Sequence, residues 1–224
     1  MAPRRKTFGR ISKALAVLAA GTGCSSEPSA RVPDTSIGTA DRCIVRLHGK
    51  GGEGAASTLH AGIVTVRPAG NESGWGKRQW LYFPDDRYEE ARAIVTSALD
   101  RTACTSAVIA GFSNGASFAA KLYCRGETFD GRVVGYVIDD PVTDAAVAIC
   151  RPASGVKAAL YWTGALGATA PAGTKCSSID WTCEDGVSLG IESYAAALDL
   201  PVQQSPNIEH VAYEDAPEIR AWLD

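Results

Sequence analysis

From residue 43 onward the chain alternates between two hydrophobic textures. Short apolar runs occur at "CIVRLHG" (43–49), "AGIVTVRPAG" (61–70), "SAVIAG" (106–111), "RVVGYVID" (132–139) and "VKAALYWTG" (156–164); they have the length and β-branched content of buried strands. Between them the period lengthens. In "RYEEARAIVTSALDR" (87–101), Ala91, Ile94, Val95, Ala98 and Leu99 fall at helical spacing and predict an amphipathic helix. Helices are also expected over 114–124, 143–150 (a short one), 187–200 and 215–224, with a weaker strand over 201–207. Strands alternating with helices predict βαβ units, right-handed crossovers and a mostly parallel sheet covered by helices on both faces. In such sheets ligands sit beyond the carboxyl ends of the strands.

The first 23 residues have a different pattern. "MAPRRKTFGRISK" is basic and "ALAVLAAGTG" is a short apolar segment, whereas crossing a hydrocarbon core of roughly 30 Å takes about 20 apolar residues. The segment reads as an export signal rather than a membrane span. Its end, "AAGTGC", resembles a bacterial lipoprotein lipobox with Cys24 as the lipid-bearing first mature residue, although Gly21 stands where that pattern prefers leucine. Arg4, Arg5 and Phe8 resemble a twin-arginine signal. The other reading is ordinary secretion with cleavage nearby. Residues 24–41, rich in Ser, Pro, Thr and Gly, read as a tether, which leaves 42–224 as one domain. The expected location is therefore the outer surface of a bacterial membrane, reached only through the lipid, or the medium.

Charge and cysteines refine this picture. The signal carries five basic residues and no acidic one, so the remainder holds 17 basic against 25 acidic groups. A body that acidic repels nucleic acid phosphates, and no nucleic acid partner is expected. Setting Cys24 aside leaves six cysteines, Cys43, Cys104, Cys124, Cys150, Cys176 and Cys183, an even set that predicts three disulfides in an exported protein. They contain no C-x-x-C pair, which disfavours zinc, so no metal is expected.

The candidate chemistry begins at "GFSNG" (111–115). Ser113 follows a buried strand and opens a helix. A turn this sharp forces the central residue into strained backbone, and Gly111 and Gly115 remove the side chains that would collide with it. The hydroxyl then stands at the sheet's carboxyl edge over a helix N-terminus, where free N–H groups favour negative charge. This is a G-x-S-x-G nucleophile elbow, and with it the chain resembles the α/β-hydrolase superfamily, in its small cap-less serine esterase and lipase form. The first strand ends in "HGKGGEG" (48–54), where that family keeps an HG loop. The resemblance implies an oxyanion hole made by the backbone N–H groups of Asn114 and Lys50, with Gly51 as second choice. A phosphate cradle is excluded, because G-x-x-x-x-G-K-[ST] is absent.

Three histidines are present. His48 reads as structural and His60 as a surface residue. His210, in "SPNIEHVAYED" between the last strand and the last helix, is where the family keeps its general base. The acid is less determined. Many relatives carry it after the seventh strand as G-x-x-D, but here Gly164 is followed by Gly167. The preceding strand ends in "IDDPVTD", and some lipases of this fold take an Asp directly before Pro. That analogy points to Asp140, with Asp139 and Asp144 as alternatives and Asp180 and Asp185 as outsiders.

The resemblance thus implies a serine hydrolase that cleaves carboxylic esters through an acyl-enzyme, with Ser113, His210 and Asp140 as its triad, no cofactor, and a monomeric state. A peptidase or acyltransferase would use the same residues, and a surface lipoprotein that binds without catalysis is the reading from a different class. In this fold the strands starting near Cys43 and Cys104 are neighbours, which implies that pair; Cys124–Cys150 and Cys176–Cys183 complete the set. Trp75 and Trp80 either wall an acyl pocket or belong to the core or surface, and Trp162 and Trp181 are similar cases.

Overall fold

The apolar runs become strands of one sheet. The computed structural model describes residues 40–74, 77–165 and 170–224. The export signal, Cys24, nearly all of the tether, Trp75 and Gly167 lie outside the described residues. In chain order the strands are β1 (Arg42–Leu47), β2 (Ala55–His60), β3 (Ile63–Arg67), β4 (Glu72–Gly74), β5 (Lys77–Gln79), β6 (Ser106–Phe112), β7 (Val133–Asp139), β8 (Lys157–Trp162) and β9 (Val202–Gln204). The helices are α1 (Asp85–Thr102), α2 (Asn114–Cys124), α3 (Ile191–Leu198) and α4 (Pro217–Leu223).

Seven strands form a sheet in the order β2-β3-β1-β6-β7-β8-β9. All neighbours are parallel except β2 and β3. Alternation along the strands gives two cores. On one face Cys43, Val45, Leu47, Ile109, Ile138 and Leu160 pack with α1, α2 and α3. On the other face Ile44, Val108, Val137 and Ala159 pack with Ile219 and Leu223 of α4. Gly135 is small because Trp222 lies across it; a Cβ there would stand 2.2 Å from the indole. The mostly parallel sheet with helices on both faces is the expected α/β class.

Three expectations are corrected. "AASTLH" had no assignment but forms β2, an edge strand with hardly any buried side chain. It is folded against β3 by Ala61 and Gly62, both at positive φ, the geometry of a tight hairpin. The helix expected over 143–150 shrinks to a 3₁₀ turn at Ala145–Val147, capped by the Asp144 side chain. The helix expected over 187–200 starts at Ile191, because Val187 bridges to Lys175 and Gly190 sits at φ 73°. All three expected cysteine pairs are bonded: Cys43–Cys104, Cys124–Cys150 and Cys176–Cys183.

Candidate active site

The site lies at the carboxyl ends of β6, β7 and β8. Ser113 has φ 54° and ψ −120°, strained backbone for a residue with a Cβ. Both fencing glycines are required sterically. A Cβ on Gly111 would stand 2.2 Å from the Gly115 carbonyl oxygen, and one on Gly115 would stand 2.3 Å from the Leu47 carbonyl oxygen. The elbow is tied to β7 by Ser113 N–H donating to the Asp139 carbonyl at 2.9 Å. The Ser113 side chain makes no cap bond to α2 and is left for other partners.

Those partners come from two distant segments. The Ser113 hydroxyl lies 3.0 Å from His210 Nε2, and His210 Nδ1 lies 2.8 Å from Asp140 Oδ2. A carboxylate only accepts, so Nδ1 carries the ring proton and Nε2 is free to accept from the serine. Asp140 is 1% exposed and turns away from the strand direction at φ 52°. Its oxygens also accept from Thr163 N–H at 2.9 Å and from Thr163 Oγ1 at 2.6 Å. Phe112 packs against the imidazole, with ring centroids 4.6 Å apart.

The other acids are elsewhere. Asp139 faces α4 and accepts from Tyr213 N–H at 2.6 Å. Burial raises its carboxyl to about 7. Asp144 accepts from Tyr82 Oη, Glu184 N–H and Ala146 N–H, and burial raises it to about 7 against those bonds. Asp180 receives Lys50 Nζ at 3.2 Å, and Asp185 is exposed.

His48 takes a structural position. Its Nδ1 lies 2.8 Å from the Gly49 carbonyl and its Nε2 accepts from Gly70 N–H at 3.0 Å, while burial pushes its pKa down. His60 is exposed at the end of β2.

Of the two expected oxyanion donors, Asn114 follows the serine directly and Lys50 belongs to the HG loop after β1. Asn114 opens α2, so its N–H has no acceptor a turn back in the helix. In the HG loop, Gly51 N–H already donates to the Arg78 carbonyl at 3.1 Å, which removes the second choice. Lys50 N–H donates to no acceptor among the described residues. Gly49 brings that loop against Ser113: a Cβ there would lie 3.1 Å from Ser113 Cβ. The Lys50 side chain reaches outward to the Asp180 carbonyl at 2.7 Å.

Two contributions were missed in the sequence. Thr163 lacked any motif, and only its place just past β8, beside the end of β7, could have marked it. The Asn114 side chain was the second. Its Oδ1 accepts from Trp80 N–H at 2.7 Å and its Nδ2 donates to the Trp80 carbonyl at 3.0 Å, so it locks the segment before α1 to the helix. Trp80 is fully buried and stacks on Phe118, so it belongs to the core and walls no acyl pocket. Trp162 is half-buried beside a pocket of about 250 Å³ with Leu189 and Ile191, and Trp181 packs beside Val142 and the Cys176–Cys183 pair.

No family model matches the chain, and no curated protein matches it in sequence. Solved structures do. A carboxylesterase from Bacillus cereus superposes with TM-score 0.48 at 15% identity, covering 82% of this chain and 88% of that one. YahD, solved with malic acid, gives 0.47 at 13% identity, with 80% and 89% covered. A putative thioesterase from Silicibacter sp. TM1040 gives 0.46 at 16% identity, with 83% and 77% covered. Likenesses this distant carry nothing about activity. The α/β-hydrolase fold follows from the sheet order, the crossovers and the elbow.

Proposed function

We propose that this chain is a serine hydrolase that cleaves carboxylic esters through an acyl-enzyme. One observation carries the reading: an unbroken relay from Ser113 Oγ across both ring nitrogens of His210 to Asp140, at 3.0 and 2.8 Å. Ser113 Oγ bonds to the ester carbonyl carbon while His210 Nε2 takes the hydroxyl proton. The carbonyl electron pair moves onto oxygen, which lies against the N–H groups of Asn114 and Lys50; each such donor lowers the barrier by about 3 kcal/mol. As the tetrahedral centre collapses, the imidazolium returns its proton to the departing alcohol oxygen and the acyl group stays on Ser113. Water then attacks, His210 takes its proton and passes it to Ser113 Oγ, and the acid leaves. Asp140 holds the ring tautomer and stabilises the imidazolium throughout.

A fluorophosphonate probe tests the reading. Wild type is expected to be labelled and Ser113→Ala is not, and a series of p-nitrophenyl esters from acetate to palmitate then ranks acyl length. Wild type that takes no label and turns over no ester is a binding protein on a hydrolase fold, and the proposal is lost. Residues 1–23 are further read as an export signal with Cys24 as the lipid-bearing residue. Loss of membrane association in Cys24→Ala supports that assignment, and unchanged association overturns it.

A further inference from the structure

Asp139 and Asp140 are consecutive acids at the end of β7, and only Asp140 touches the imidazole. Asp139 is 3% exposed, and its Oδ1 is buried with no hydrogen-bond partner among the described residues. Its Oδ2 accepts from Tyr213 N–H at 2.6 Å, three residues past His210. The loop between β9 and α4 is otherwise held by scattered polar contacts. Ser205 N–H donates to the Trp162 carbonyl and Asn207 Nδ2 to the Val211 carbonyl, while Ile208 is 89% and Val211 47% exposed. Phe112 packs on the imidazole, and on the C-terminal side of His210 the Asp139 bond stands with the Arg46 Nη2 bond to the Glu214 carbonyl, the Arg67–Glu214 ion pair and the edge contact of Tyr161 with Tyr213; of these bonds from the sheet, that of Asp139 is the nearest to His210 along the chain.

We propose that Asp139 is a positioning residue for His210: through the Tyr213 amide its carboxylate fixes the loop that carries the imidazole, and losing that charge loosens the loop and slows acyl transfer. This rests on the serine hydrolase reading above. A charge-assisted bond to a carboxylate is about twice as strong as its neutral counterpart, so protonation weakens the hold without removing it. Burial, with Asp140 adding to it, brings the carboxyl to about 7, inside the working range of an imidazole base. The groups facing it are Arg46 from β1, Tyr161 from β8, Asp140 on its own strand, and His210 and Tyr213 from the loop. Arg67, Glu53 and Glu214 line the adjoining cavity of about 180 Å³. Arg46 Nη2 donates to the Glu214 carbonyl, and its Nε has no partner among the described residues, so Arg46 draws the Asp139 carboxyl down only through space and, with the Tyr213 N–H, only partly offsets burial.

The test compares wild type, Asp139→Asn and Asp139→Ala by pH-dependent ester kinetics and by amide hydrogen exchange. Asn keeps an acceptor and removes the charge; Ala removes both. At pH 8, Asp139→Asn is expected to lose about tenfold in kcat with KM unchanged, and Asp139→Ala more. The acid limb of the wild-type kcat profile is expected to be steeper than that of Asp139→Asn, because one further ionisation acts in it. Tyr213 amide protection should fall in the order wild type, Asn, Ala. Equal kcat and limb slope in folded wild type and Asp139→Asn overturn the proposal. A wild type that hydrolyses no ester overturns the hydrolase reading instead; exchange at Tyr213 then still reads the hold, and unchanged protection in Asp139→Ala sinks it independently.

Discussion

Replacing Thr163 by valine removes one hydroxyl from behind the triad and keeps the residue's shape. Asp140 is buried and takes three donors: His210 Nδ1, Thr163 N–H and Thr163 Oγ1, the last at 2.6 Å. Valine leaves two. A hydrogen bond to a charged group contributes about 1.5–3 kcal/mol. If Asp140 loses that much of its orientation when the imidazolium forms, kcat falls by about 10- to 150-fold. KM should barely move, because Thr163 lies behind the acid and not on the substrate side. The assay is steady-state hydrolysis of a p-nitrophenyl ester, together with the rate of fluorophosphonate labelling and a thermal melt to establish folding. Thr163 Oγ1 also accepts from Ala165 N–H at 3.1 Å, so Thr163→Ser, which keeps both bonds, is the control and should retain activity within a few-fold. A folded Thr163→Val within twofold of wild type refutes the idea that Asp140 depends on this brace. A change confined to KM would move Thr163 to the binding surface.

Two further outcomes follow from burial and close contact. Asp139 and Asp144 are both raised to about 7, so the folded chain holds protons there that the unfolded chain releases near pH 4. The stability they contribute is fully present below pH 4 and is lost as pH rises through 7, by roughly 4 kcal/mol per group at most; urea midpoints should fall from pH 5 to pH 8 and the fall should shrink in Asp144→Asn, and a midpoint that climbs over that range contradicts the assignment. Gly115→Ala puts a Cβ 2.3 Å from the Leu47 carbonyl oxygen and is expected to abolish soluble folded protein, while Gly131→Ala, whose Cβ meets nothing within 4 Å, pays only for its φ of 80°, about 1–2 kcal/mol; equal yields and melts for the two would remove the steric reason for the elbow glycine.

The features legible in the sequence are those set by local pattern. The β6 and β7 runs are apolar because both faces are buried, and the glycines around Ser113 are diagnostic because their roles are steric and lie within a few residues. β2 was not legible: "AASTLH" sits exposed at an edge and carries no apolar stripe, and only the turn at Ala61–Gly62 creates it. The choice between Asp139 and Asp140 was open for a different reason. Successive side chains on a strand point to opposite faces, so one of the pair must face α4, but which one depends on where the strand ends. Asp139 is the last residue in register, opposite Phe112, and Asp140 leaves the strand at positive φ. Thr163 was invisible because its role exists only through the β7–β8 pairing.

That pairing explains how Asp140, just past β7, can meet His210 from beyond β9. Asp140 N–H donates to the Tyr161 carbonyl, so the residue leaves its own strand already bonded to the next one. Two residues further along β8 and its loop, Thr163 supplies two of the three donors to the carboxylate. One step over, Ser205 N–H is held by the Trp162 carbonyl, which starts the histidine loop beside the same brace. The strand ends thus form a ladder across the sheet edge, and each rung places one member of the relay relative to the next. Burial of apolar side chains holds the strands to which the ladder is fixed; at the imidazole it contributes the Phe112 ring, while Ile208 and Val211, next to His210 along the chain, are exposed. Directional bonds at Asp139, Asp140 and Thr163 add to it. A stable fold is therefore not enough for the chemistry: Asp140 on the ring, Thr163 behind that carboxylate and Asp139 on the loop at Tyr213 set the position of His210 to within the length of a hydrogen bond, and the hydrophobic core alone would leave its loop free to choose another.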